Sequence, residues 1–159
     1  MELLEPGYER KKLLNQIVWF GIWFGVTLTG AVLTPDKSGH GTHQQLGLPP
    51  CPSVLFFDRP CPGCGLTTSW TAFIHGHFAE AFHAHPLGPI AYMVFTATAF
   101  ISLYGYVKGL KFRSDSVKFT QFINWGLGAF VVFGIARMVM SPHFATDGER
   151  MMSSFVQKR

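Results

Sequence analysis

Three stretches of this chain run close to 20 residues with almost no charge, and that pattern narrows the available folds more than any other feature. The first covers about 15–33, uncharged between Lys12 and Asp36. The second covers 86–107 and is uncharged throughout. The third covers 119–140 and is broken only by Arg137. A helix needs roughly 20 apolar residues to cross the hydrocarbon core, so each stretch is expected to span a bilayer. Composition agrees: 14% of residues are charged, against roughly 25% in soluble domains. The predicted fold is an all-α integral membrane protein with three transmembrane helices, forming one membrane domain over residues 1–159. The first stretch is longer than a signal-peptide core and is expected to stay uncleaved.

Basic residues orient the spans. Arg10, Lys11 and Lys12 precede the first, and Lys108, Lys111, Arg113 and Lys118 fill the short link between the second and third. The long loop 34–85 holds only Lys37 and Arg59. The positive-inside rule places the N-terminus in the cytoplasm and the long loop outside, as expected for a bacterial inner membrane protein. Trp19, Tyr104, Tyr106 and Trp125 fall near the cytoplasmic ends. The formal charge of +4 is spread beside the spans. It reads as topology, with membrane lipid as the partner and no nucleic acid.

All three cysteines, Cys51, Cys61 and Cys64, then share the extracytoplasmic loop. Cys61-Pro-Gly-Cys64-Gly has the form of a zinc knuckle: proline tightens the turn, and the glycine lets the backbone aim amide hydrogens at sulfur. With Cys51 the set counts three ligands, and His75, the next histidine along the chain, is the candidate fourth. A disulfide from Cys51 to Cys61 or Cys64 competes with the zinc reading, because this compartment permits it. A redox thiol pair is a third reading, and it lacks a second cysteine pair. Paired histidines such as His75 and His77, two apart, do not share a helix face.

After Cys64, the residues Leu66, Trp70, Phe73 and Ile74 recur at helical spacing. Gly76 interrupts them, and a second short helix is expected from His77 to Ala84. This pair is too polar to span and is expected to lie at the interface or re-enter the membrane. Gly21, Gly25 and Thr29 form a small-residue stripe on the first span, suited to close helix packing.

The ordered run Cys61-Pro-Gly-Cys-Gly-Leu-Thr-Thr68, then His75-Gly-His-Phe78, then His85-Pro-Leu-Gly88 resembles domain-of-unknown-function family 2752. These are small bacterial integral membrane proteins with the pattern Cys-Pro-x-Cys-Gly-Leu-Thr-Arg, Gly-Asp-Phe, Asn-Pro-Leu-Gly. The resemblance is detailed from Cys51 to Gly88. Thr68, His77 and His85 replace the family's arginine, aspartate and asparagine, so no role of an Arg–Asp pair carries over. The resemblance implies a multi-pass membrane protein and no particular activity.

No catalytic constellation stands out in the chain. The expected function is a non-catalytic accessory or assembly subunit of a larger bacterial membrane complex, associated with other membrane subunits. The alternative is a metal- or thiol-handling membrane protein built on Cys51, Cys61, Cys64 and nearby histidines.

Overall fold

A computed structural model of the chain describes residues 4–6, 13–112 and 117–157. Arg10, Lys11, Lys12 and Arg113, which carry much of the orientation argument, lie outside the described residues.

Helix α1 (Leu14–Val32) is followed by a loop with a 3-10 turn at Thr42–Leu46. A short helix α2 (Pro52–Phe57) begins directly after Cys51, with proline in its first turn, where a missing N–H costs nothing. After the cysteine turn, α3 (Leu66–Ile74) and α4 (Phe78–Ala84) form the expected helix pair. Gly76, at φ +80, ends the first of these. Pro86 leads into the long helix α5 (Leu87–Lys108), which stops at Gly109 in the left-handed region. Strand β1 (Leu4–Pro6) pairs antiparallel with β2 (Leu110–Phe112). Helix α6 (Val117–Met140) and a C-terminal helix α7 (Asp147–Gln157) complete the chain.

Helices α1 and α5 pack side by side through polar and aromatic pairs. Trp23 Nε1–H donates to Thr96 Oγ1 at 2.9 Å, and the hydroxyls of Thr27 and Tyr92 lie 2.9 Å apart. Trp19 and Trp23 meet Phe95 and Phe100 edge to face, each at 5.0 Å. These rings satisfy their polar atoms across the pair while filling the apolar seam. The α3–α4 hairpin closes one end of it. Ser69 Oγ donates to the carbonyls of Ala81 and His85, and Gly88 leaves room for the Ser69 side chain.

Helix α6 is attached near its C-terminal end. Gly134 lies against Pro62, and Arg59 donates to the carbonyls of Met138 and Val139, both at 3.0 Å. Further along, a cleft of about 840 Å³ separates it from α1 and α5.

Among the described residues two helices are long and apolar enough to cross a membrane, Leu87–Lys108 and Thr120–Met140. That is one fewer than the three spans expected. Helix α1 carries Asn15 and Gln16 in its first turn, and Gln16 is buried with Nε2–H on the Leu110 carbonyl. Most large side chains of all three long helices point away from the protein, including Val32, Val107 and Met140. The small-residue stripe also faces outward. A Cβ added at Gly21 or Gly25 meets nothing within 4 Å, and Thr29 Oγ1 turns back to the Gly25 carbonyl.

Candidate metal centre

The Cys61–Cys64 segment is a tight turn. Cys64 N–H donates to the Cys61 carbonyl at 3.0 Å, and Leu66 N–H to Gly63 at 3.1 Å. Gly65 follows at φ +82, a conformation that favours glycine. The turn points Cys61 N–H at Cys64 Sγ, 3.2 Å away, which is the amide-to-sulfur contact expected of a knuckle. The two sulfurs lie 3.3 Å apart. Cys51, at the head of α2, brings the third. The three Sγ atoms lie within 4.8 Å of one another and all three cysteines are free. The three thiols thus converge on one point.

Burial raises the pKa of Cys64, and a hydrogen bond to Cys61 adds to the effect. Cys51 goes the other way. Burial opposes ionisation there, but hydrogen bonds from the Cys64 thiol, the Ser53 amide, the Cys61 thiol and the Val54 amide outweigh it and lower its pKa. Ionisation is thus easier at Cys51 than at Cys64. Thiolate is the form that binds metal.

Distant parts of the chain frame these sulfurs. Arg137 donates to the Cys64 carbonyl at 2.7 Å and the Ala84 carbonyl at 2.8 Å, and its guanidinium lies over the Phe144 ring. His85 is fully buried, stacked on Phe130, and burial lowers its pKa. It stays neutral and donates from Nε2 to the Pro62 carbonyl within the turn. Ala145 N–H donates to Asp58 Oδ1 at 2.6 Å, which seats Ala145 and Phe144 against Val54 and the cysteines.

His40 and Glu149 form a buried pair at 3.0 Å, 5% and 6% exposed. Nothing in the sequence reading singled out this pair. One signal was present: Thr146-x-x-Glu149 is a capping box. Thr146 N–H donates to Glu149 Oε2, and Glu149 N–H to Thr146 Oγ1. Arg137 was visible only as an interruption of an apolar run.

His75, the fourth ligand expected from sequence, is placed elsewhere. Its Nε2 lies 3.0 Å from the Leu33 carbonyl, and it does not line the small cavity beside the cysteines. That cavity, about 100 Å³, is lined by His40 and His43 along with the three sulfur residues and Thr68.

The carboxylates that dock the C-terminal segment both have lowered pKa values. For Asp58 the largest cause is the Ala145 amide. For Glu149 burial acts in the opposite sense and is outweighed by bonds from His40 and Thr146. A depressed folded pKa stabilises above the unfolded value and is lost as pH falls. Docking of residues 141–157 is thus expected to be complete above about pH 5 and to weaken below about pH 4. Protease cleavage within α7 of the purified protein should rise over that window; a flat profile would refute the assignment.

Residues 51–99 match a family described as protein of unknown function, DUF2752. The matched region holds all three cysteines and extends from α2 into α5. No curated protein and no solved structure matches the chain.

Proposed function

We propose that this is a multi-pass membrane protein that holds a metal ion through Cys51, Cys61 and Cys64, and that the ion is structural. The observation behind this is the convergence of three free thiols within 4.8 Å. A disulfide uses two sulfurs and gives the third no reason to be there. Zinc suits the donors, since Cys-x-x-Cys plus a distant cysteine is a familiar ligand arrangement for it. An ion here would tie α2 to the turn that Arg137 and Gly134 join to α6. Metal analysis of the purified protein, with thiols counted under denaturation, tests this. Bound zinc with all three thiols released by chelator is the expected result. Metal-free protein with two thiols lost to a bridge would reject it.

In this reading α1 is the third span, the N-terminus is cytoplasmic and the cysteines lie outside, in a bacterial inner membrane. A reporter active only in the cytoplasm should give signal when fused after Lys111 and none after Gly47. The opposite pattern would invert the topology.

A second reading, an accessory subunit of a larger membrane complex, is favoured by the outward stripe on α1. Because a Cβ at Gly21 or Gly25 would meet nothing within 4 Å among the described residues, a partner helix could approach there closely. Gly25→Leu is expected to insert and remain stable alone, yet to lose co-purifying membrane proteins. Unchanged co-purification would remove the support for this reading.

A further inference from the structure

Three thiolates leave a tetrahedral ion one position short. We propose that the fourth ligand is Nδ1 of His43, an inference that rests on the metal reading above. Three observations lead to it. His43 lines the same small cavity as the cysteines. Its Nε2 lies 3.2 Å from the Pro49 carbonyl, which can only accept, so the proton sits on Nε2. The lone pair is then on Nδ1, which has no hydrogen-bond partner among the described residues. A backbone carbonyl that fixes one ring nitrogen and frees the other is the usual support of a metal-binding histidine.

The backbone holds His43 in place. It sits in the 3-10 turn bracketed by Gly41 and Gly47, both at positive φ. Its neighbour Thr42 is fully buried, and its hydroxyl lies 2.8 Å from that of Thr68. That bond pins the turn to the start of α3, four residues after Cys64. Among the described residues the one other histidine that lines this cavity is His40. His40 has both ring nitrogens engaged, Nδ1 with the Ser38 carbonyl and Nε2 with Glu149. His75 does not line the cavity. The resulting three-cysteine, one-histidine set is a structural zinc set. Its single net negative charge would face the Arg137 guanidinium, already bonded to the Cys64 carbonyl.

The test is a cobalt(II) titration of the purified full chain in detergent, read by thiolate-to-cobalt charge transfer and the visible ligand-field bands. His43→Ala is expected to lower cobalt affinity by at least about 10-fold. His43→Cys should restore it with stronger charge transfer, as a fourth thiolate takes the nitrogen's place. His75→Ala should match the wild type. If His43→Ala binds like the wild type, or His43→Cys leaves the charge-transfer intensity unchanged, His43 is not the ligand and the three-thiol site stands without it. If the wild type takes up no cobalt, the metal reading falls and this one with it.

Discussion

Replacing Cys64 by Ser is expected to abolish metal binding and sharply lower accumulation of the protein in the membrane. Cys64 is the most enclosed of the three cysteines, 7% exposed, and its sulfur contacts both Cys61 Sγ and Cys61 N–H. Serine is a poor zinc ligand, and its oxygen sits closer to the backbone than sulfur does. Structural zinc contributes an apparent ~10–16 kcal/mol in small domains, as much as the whole ~5–15 kcal/mol that separates most folded domains from unfolding. The comparison across all three cysteines is the informative part. If a metal holds them, Cys51→Ser and Cys61→Ser should fail as Cys64→Ser does. If two of them form a bridge instead, replacing the third should be nearly neutral. One silent variant among the three would therefore count against the metal centre.

Gly65→Ala should be strongly damaging. Gly65 has φ +82, and a Cβ there would meet the Ala84 carbonyl oxygen at 2.5 Å and the Gly39 carbonyl oxygen at 2.7 Å. Both are backbone atoms and cannot rotate aside. The left-handed conformation alone costs a non-glycine residue about 1–2 kcal/mol. The clash with two fixed carbonyls adds to that, so the loss should clearly exceed the conformational part alone. Gly47→Ala is the matched control, with φ +77 and nothing within 4 Å. It should lose only the conformational part. Thermal unfolding in detergent should separate the two clearly. Equal losses would mean that the Cys64–α3 junction has room the structure does not show.

These effects centre on a turn that was visible in the sequence. Cys61-Pro-Gly-Cys64-Gly announced its own geometry because its hydrogen bonds are local. Cys64 N–H reaches three residues back, and Gly65 adopts the conformation its missing side chain permits. The helix pair at 66–74 and 78–84 was legible for the same reason, since apolar spacing and an interrupting glycine are properties of neighbours. So were the two apolar helices that meet the length and hydropathy of a span. Helix α1 was read from sequence as a span like the other two, but Asn15 and Gln16 dilute its apolar run, and only the fold supplies Gln16 with the Leu110 carbonyl 94 residues away.

What surrounds the cysteines was decided by tertiary structure. His40 meets Glu149 across 109 residues, and Arg137 reaches the Cys64 carbonyl across 73. Nearness along the chain pointed to His75, but the chain folds it to Leu33, and the cavity that the sulfurs share is lined by His40 and His43. The physical reason is that a sequence states which side chains can bind, cap or turn, through interactions a few residues long. Which of several equivalent histidines shares a cavity with three thiols depends on where helices end and how loops close, and those depend on contacts between residues far apart. In this chain the sequence by itself determined the apolar helices and the shape of the cysteine turn, and the packing of α6, α7 and the loop before α2 chose the turn's neighbours.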